Sequence, residues 1–192
     1  QETWRQHCRR LGPEGESFNS ILDVGCGPGI SAFELENIHP EAQVVGLDVA
    51  EKMIQRAMKE KRNRNSSVDF ILGDAETLPF DSNQFDLVTG HSFLYLLDDA
   101  ELVLREIRRV LQPDGQVSFL EPRANPGFNW FLPSLRKGPR FFSTMVGWQL
   151  FSSLSGRFTR NEITDLLSRS GYSEIEPNVT LDGLGWLLRA QV

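Results

Sequence analysis

The stretch that decides the fold runs from residue 21 to residue 30 and reads Ile-Leu-Asp-Val-Gly-Cys-Gly-Pro-Gly-Ile. Its first four residues are mostly apolar and predict a buried strand. Three glycines follow at alternate positions, namely Gly25, Gly27 and Gly29. Because glycine lacks a Cβ atom and adopts positive φ at little cost, the pattern predicts a tight loop whose bare backbone lies close to a ligand.

The spacing of these glycines separates two kinds of nucleoside cofactor. A dinucleotide fingerprint needs G-x-G-x-x-G, or alanine in the last place, so that a third small residue packs the helix against the strand. Ile30 occupies that place here. Asp23, just before the loop, would also oppose a pyrophosphate, which dinucleotide sites hold at a helix N-terminus. An acid suits instead a cofactor that carries a cationic ammonium group.

Residues 23–29 resemble motif I of the class I methyltransferases that use S-adenosylmethionine (SAM), which carries an ammonium group beside a sulfonium. The resemblance implies that five residues of this segment surround the cofactor: Asp23, Gly25, Cys26, Gly27 and Gly29. A glycine-rich turn without a ligand is the alternative, so the positions downstream must decide.

A second acid, Asp48, ends the next predicted strand, twenty-three residues after Gly25. An acid about 20 residues beyond the glycines can accept hydrogen bonds from both ribose hydroxyls of a nucleoside cofactor. Asp48 could also begin the helix that follows it. Val49 comes next and is assigned to the same cofactor site, while Met53 either packs near the adenine or belongs to the core.

A third acid, Asp74, follows the strand predicted at 68–72. By the same resemblance, its carboxylate accepts from the exocyclic amine of adenine and the Ala75 backbone N–H donates to a ring nitrogen. Glu76 is assigned to the same site. A surface turn is the alternative, because Gly-Asp pairs are common in turns. The order of the glycine loop and the two acids, each after a predicted strand, favours a SAM site.

Composition sets limits on the class of protein. A length of 192 residues suits one domain with a sizeable core. The net charge of −6 and the pI of about 5.1 argue against general nucleic-acid binding, which favours a basic face. Two cysteines make no disulfide framework, and no cysteine or histidine spacing indicates a metal. No apolar run could span a bilayer and no signal peptide is visible, so we expect a cytoplasmic protein. The start at Gln1 suggests a trimmed chain, in which an N-terminal helix or lid is shortened.

Strands and helices alternate along the chain. Strands are predicted at 20–24, 43–48, 68–72, 85–90, 116–120, 172–179 and 184–191. Helices are predicted at 2–10, 29–38, 50–62, 98–111 and 163–170. A turn at 112–115, which contains a proline and a glycine, is predicted to end the fourth helix. Thr159 and Glu162 predict a capping box ahead of the last helix, and Gly171 is predicted to end it as a C′ glycine. The alternation predicts an α/β fold, a three-layer Rossmann-like sandwich around a mostly parallel sheet. The short link at 180–183 predicts a hairpin and one antiparallel edge strand. Seven strands with a terminal hairpin are also what the resemblance implies, in a single SAM-dependent methyltransferase domain over 1–192.

The chain most resembles the small-molecule group that includes the ubiquinone/menaquinone-biosynthesis methyltransferases. The segments that carry this resemblance are 73–80, 85–88 and 104–115. The fourth strand's loop lacks the Asn-Pro-Pro-Tyr or Asp-Pro-Pro-Tyr of amino-methylating DNA enzymes, and no Pro-Cys nucleophile is present. We therefore expect a small-molecule methyl acceptor and no nucleic acid. The oligomeric state stays open.

The loop after the fourth strand holds the candidate catalytic residue. His91 and Gly90 end that strand, at the carboxyl edge where such sheets bind ligands. His91 could act as a general base for a hydroxyl or a weakly acidic carbon, or it could shape the cofactor pocket through its backbone. Tyr95 and Glu121 are further substrate-side candidates.

Segment 123–158 is rich in aromatic residues, among them Trp130 and Trp148. Long connections in compact domains are usually functional. The N-terminal segment at 1–17 is expected to form a helix or lid, and segment 123–158 could pack on the domain or form a lid over an apolar or aromatic substrate. It could also lie on a membrane surface, because Arg136, Lys137 and Arg140 precede its apolar helix face.

The sequence therefore predicts methyl transfer from SAM by in-line displacement, with S-adenosylhomocysteine as the product. A SAM-binding subunit without catalysis, with a regulatory or assembly role, is an alternative, because the cofactor itself supplies the reactivity. A nucleotide-dependent oxidoreductase is disfavoured by Ile30 and Asp23.

Overall fold

The computed structural model describes residues 2–13, 15–127 and 130–192 and contains one seven-stranded sheet. The strands are β1 Ser20–Val24, β2 Gln43–Asp48, β3 Asp69–Leu72, β4 Phe85–His91, β5 Leu111–Pro122, β6 Ser173–Thr180 and β7 Gly185–Gln191. Their order across the sheet is β3-β2-β1-β4-β5-β7-β6. β1 to β5 run parallel, so their carboxyl ends lie at one edge, and the order reverses between β1 and β4. Ligands bind at such a switch point in open α/β sheets.

The C-terminal hairpin closes one side of the sheet, as predicted. β7 pairs antiparallel with both β5 and β6. The strand that runs antiparallel is therefore β7, one position in from the edge, and β6 occupies the edge itself. The mostly parallel α/β sandwich expected from the sequence is confirmed.

The end of the fourth helix, α4 Ala100–Val110, differs from the prediction. A turn was expected at 112–115 ahead of a strand at 116–120, but β5 already begins at Leu111. The register against β4 breaks there, since Phe85 pairs with Leu111 and Leu87 pairs with Gln116. Leu111 thus joins the sheet before the chain bulges out over 112–115.

Helices cover both faces of the sheet. Those in the described residues are α1 Glu2–Arg9, α2 Ile30–Ile38, α3 Glu51–Arg64, α4 Ala100–Val110, α5 Phe131–Arg136, α6 Pro139–Ser155 and α7 Arg160–Arg169. Alternate residues of β1 belong to different cores: Leu22 packs with α4 and α7, whereas Ile21 packs with α2 and α6. No helix in the described ranges has the length and apolar character needed to cross a membrane.

The capping box predicted ahead of α7 is present. The Thr159 hydroxyl accepts from the Glu162 backbone N–H, and the Glu162 carboxylate accepts from the Thr159 N–H. Gly171, with φ of 90°, follows the helix as expected of a C′ glycine. The sequence thus specifies both ends of α7 locally.

Candidate cofactor cleft

The glycine loop connects β1 to α2 and needs its glycines for different reasons. Gly25, Gly27 and Gly29 have φ of 65°, 53° and 85°. A Cβ atom on Gly29 would lie 2.7 Å from the Phe70 ring, and one on Gly25 would lie 2.9 Å from the Phe93 Cβ. Around Gly27 there is open space within 4 Å. The first and third glycines therefore fit the loop against the protein, and the second leaves its backbone accessible.

A cleft of about 260 Å³ opens beside this loop, at the carboxyl edge of the sheet. The loops that follow β1, β2, β3 and β4 all contribute to it. The residues that line it are Val24, Gly25, Leu47, Asp48, Val49, Gly73, Asp74, Ala75, Ser92, Phe93, Leu96 and Leu97. Five of the residues assigned to the cofactor from the sequence thus meet in one place: Gly25, Asp48, Val49, Asp74 and Ala75.

Asp48 ties the glycine loop to β2. One carboxylate oxygen accepts from the Gly27 N–H at 2.8 Å, and the other accepts from the Ala50 N–H at 2.8 Å. Each oxygen of a carboxylate has a second lone pair, so both can still accept from a ligand hydroxyl. Asp48 is not the N-cap residue of α3, because Ala50 occupies that position.

The residues assigned to the adenine end fall into two groups. Val49 is 71% exposed and lies in the cleft, where it offers an uncovered apolar surface. Asp74 is exposed, and its carboxylate accepts from the Glu76 N–H at 3.0 Å, which fixes the turn that presents Ala75. The side chains of Glu76 and Met53 do not line the cleft.

Asp23 and Cys26 lie behind the loop instead of facing the cleft. The Asp23 carboxylate is fully buried and accepts from the Ser31 hydroxyl at 2.5 Å and the Thr89 hydroxyl at 2.9 Å. Burial raises the pKa of Asp23 to about 6, although these two hydrogen bonds lower it. Burial also raises the pKa of the Cys26 thiol. Asp23 therefore joins β1, α2 and β4, and the sequence argument for an ammonium ligand is not supported by its position.

His91 lies against the N-terminal helix. Its ring meets Trp4 edge-on with centroids 4.6 Å apart, and its Nε2 is buried with no partner among the described residues. Burial, and secondarily His7, lowers the pKa of His91 to about 4. Neither Gly90 nor His91 lines the cleft. The structure thus places the imidazole against α1 and away from the cleft.

Two residues that the sequence argument missed follow His91 directly. Ser92 lines the cleft with a φ of 55°, unusual for a residue other than glycine, and its hydroxyl accepts from Trp148 Nε1 at 3.1 Å. Phe93 packs over Gly25 and against Phe119. Gly25 and Gly90 both lie against the Phe93 ring, and because they are far apart in the sequence, no sequence pattern indicates this contact.

Glu121 is buried beneath the loop that lines the cleft. One of its oxygens accepts from the Phe93 and Leu94 N–H groups, both at 3.1 Å, at the start of the 3₁₀ turn Leu94–Leu96. Its other oxygen is buried without a partner in the described structure. Burial raises the pKa of Glu121 to about 8, against the lowering effect of the backbone hydrogen bonds. Glu121 therefore positions this loop, and it is not among the residues that line the cleft.

The other substrate-side candidates lie around α5 and α6. Tyr95 is buried and meets Phe151 edge-on, and burial raises the pKa of its hydroxyl to about 12. Trp148 contacts Trp4 as well as Ser92, so α6 is attached to both α1 and the cleft. Trp130 stacks on Phe142, farther along the same segment.

This arrangement, with a glycine loop at a topological switch point and acids at the ends of β2 and β3, is typical of a class I, Rossmann-like methyltransferase. The chain belongs to the methyltransferase domain family, which matches residues 22–119. It is a SAM-dependent enzyme of this class, with SAM as the methyl donor.

The chain is similar to two named relatives and to one solved structure. It is 42% identical to a demethylmenaquinone methyltransferase of Lactobacillus johnsonii over 91% of this chain and 76% of the relative. It is 41% identical to the enzyme of that name from Lactococcus lactis, over 53% of this chain and 41% of the relative. The structure of a SAM-dependent methyltransferase from Aquifex aeolicus shares the fold, with a TM-score of 0.72 at 16% identity over 97% of this chain and 88% of that one. The match to the Lactococcus protein thus spans less than half of that protein.

Proposed function

We propose that this protein transfers a methyl group from SAM to a small apolar or aromatic acceptor by in-line displacement. The observation that carries the proposal is the cleft itself, in which the Asp48 carboxylate, the exposed Val49 and the Ala75 backbone line one space beside the glycine loop. Both relatives named above are demethylmenaquinone methyltransferases. An apolar quinone-like acceptor is therefore the first candidate.

The cleft fits the donor it would hold. The Asp48 oxygens, each already bound to one backbone N–H, offer further lone pairs to the two ribose hydroxyls. Val49 would cover one face of the adenine, and Asp74 with Ala75 would meet its edge. When bound, SAM supplies an electrophilic methyl group on a sulfonium.

The protein's own contribution is placement. Alignment of two reactants can lower the activation free energy by a large amount, since effective molarities reach about 10⁵ M or more. Phe93, whose backbone N–H donates to Glu121, and Leu96 line the cleft on the β4 side. We assign no general base, because the lowered pKa of His91 and its position under Trp4 leave it poorly suited to accept a proton from a substrate.

The acceptor side is formed, in this proposal, by segments 1–17 and 123–158. Leu96 lines the cleft and is 50% exposed, and Phe151 on the neighbouring helix is 54% exposed. α6 packs against the 3₁₀ turn that carries Leu96. An apolar acceptor could thus approach the cleft along side chains that are already uncovered.

The test is a mass-spectrometric search for the gain of one methyl group. The protein with SAM is incubated with demethylmenaquinone in its reduced form, with simpler naphthoquinols and with polar controls such as amino acids. We expect methylated product and S-adenosylhomocysteine in equal amounts with the apolar aromatic compounds. Methylation of the polar compounds alone would refute the proposed acceptor class, and SAM binding without any product would favour the non-catalytic alternative.

A further inference from the structure

A second cavity, of about 450 Å³, lies apart from the cofactor cleft. It is formed where α1, the start of α2, one face of α3 and the start of α6 come together. It shares no lining residue with the cleft. Pro28 and Ile30, on either side of Gly29, belong to it, so it borders the same glycine loop as the cleft through different residues.

The charged side chains of this cavity are mostly positive. Four arginines line it, Arg5, Arg56, Arg64 and Arg140, against one acid, Glu60. This concentration stands out in a chain with 20 basic and 26 acidic residues. Four guanidinium groups in one cavity suit a ligand that carries more than one negative charge, since each presents a planar fork of donors.

Among the residues that the structure describes, Arg5 and Arg64 are paired with acids, whereas Arg56 and Arg140 have no competing partner. Arg64 is paired with Glu60 at 2.7 Å and lies over the Phe33 ring at 4.6 Å. Arg56 and Arg140 are exposed, and neither side chain makes a hydrogen bond or ion pair with any residue that the structure describes. Their donors are therefore available to a ligand at no cost in broken salt bridges.

The walls between the arginines are apolar and aromatic. Trp4, Phe33 and Phe141 contribute rings from three different helices, and Ile30 is 37% exposed at the edge. Rings that border guanidinium groups accommodate a flat or apolar body next to its charged group. A simple inorganic ion would leave these walls uncovered.

We propose that this cavity binds a phosphate monoester carried on an apolar or aromatic body, at a site separate from the SAM cleft. The phosphate meets Arg56 and Arg140, and the body lies against Trp4 and Phe141. Either a soluble organic phosphate or a phosphatidate headgroup has this chemistry. The site does not depend on the identity of the methyl acceptor.

The experiment is calorimetry with 1-naphthyl phosphate, and in parallel with vesicles that contain phosphatidate. The double variant R56Q/R140Q should weaken binding about thirtyfold or more, because two charge-assisted contacts are lost. The matched control R62Q/R136Q removes the same charge from exposed arginines outside the cavity and should change binding less than about twofold. If 1-naphthyl phosphate binds saturably, is weakened in R56Q/R140Q and is unaffected in R62Q/R136Q, the ligand is a soluble ester. If only the vesicles show these effects, the ligand is a lipid.

A variant that changes shape and not charge gives an independent check. Thr144 is exposed at the cavity and Thr144→Trp should fill it, so that 1-naphthyl phosphate no longer binds while SAM affinity stays unchanged. SAM titration of every variant separates this proposal from the proposed function, because the lining residues of the two sites differ. Equal binding of neutral 1-naphthol or of inorganic phosphate, equal losses in the control variant, or no binding in either arm would overturn the proposal.

Discussion

Replacement of Glu121 by glutamine should change the pH dependence of stability in a defined way. A folded-state pKa of about 8, against 4.5 for a free glutamate, means that the folded protein keeps a proton that the unfolded chain releases. The free energy of unfolding is therefore largest at and below about pH 4.5, and it falls as the pH rises toward about 8 and beyond. Since one pKa unit corresponds to about 1.4 kcal/mol, the loss in the parent protein approaches about 5 kcal/mol above the upper value.

Glutamine cannot ionise, so Glu121→Gln removes this loss. Its carbonyl oxygen can still accept from the Phe93 and Leu94 N–H groups, but its amide nitrogen replaces an oxygen that has no partner. The amide leaves two buried N–H donors without a partner where the protonated carboxyl leaves one O–H, and the additional unpaired donor costs about 1–3 kcal/mol at every pH. The variant should thus be less stable than the parent near pH 5 and more stable near pH 9, with the two curves crossing between.

Urea unfolding at about pH 5, 7 and 9 gives the free energies of unfolding for parent and variant. Asp23 and His91 also titrate, but equally in both proteins, so the difference isolates Glu121. Glu41→Gln, at an exposed carboxylate, is the matched control and should follow the parent. Parallel curves for parent and Glu121→Gln would refute the assignment of a buried, protonated carboxyl at this position.

Three further changes test the cleft and its surroundings. Asp48→Asn should weaken SAM binding at least about tenfold in calorimetry, because a charged acceptor of two ribose hydroxyls is lost, and unchanged affinity would contradict its role. Gly29→Ala should lower the free energy of unfolding by about 2–4 kcal/mol, from the positive φ and the 2.7 Å approach to Phe70, whereas Gly147→Ala in the open middle of α6 should raise it by up to about 1 kcal/mol. His91→Phe should keep SAM affinity and most turnover with a confirmed acceptor; a loss of about a hundredfold would instead indicate a general base.

The sequence predicted the parts of this protein that depend on local pattern. The alternating strands and helices, the positive φ of the three loop glycines and the capping box at Thr159 all follow from short stretches of chain. The placement of Asp48 and Asp74 at one edge follows from parallel strands, whose carboxyl ends must meet. These features required no knowledge of which distant residues touch.

The sequence could not show which candidate residues tertiary contacts would hold away from the cleft. Asp23 precedes the loop as an ammonium partner would, but Thr89 and Ser31, from elements far along the chain or beyond the loop, bury its carboxylate. His91 ends its strand at the ligand edge, yet the alternation of side chains turns it to the face covered by α1. The cavity with four arginines could not be predicted from the sequence, because all of its lining residues except Pro28 come from four separate helices.

The central claim is that the cleft beside the glycine loop holds SAM. Calorimetric titration of the protein with SAM, S-adenosylhomocysteine and NAD tests it most directly, with Asp48→Asn as the site variant. The account predicts saturable binding of SAM and of S-adenosylhomocysteine at one molecule per chain, weakened in the variant, and no binding of NAD. Binding of NAD in place of SAM, or SAM binding that Asp48→Asn leaves unchanged, would contradict it.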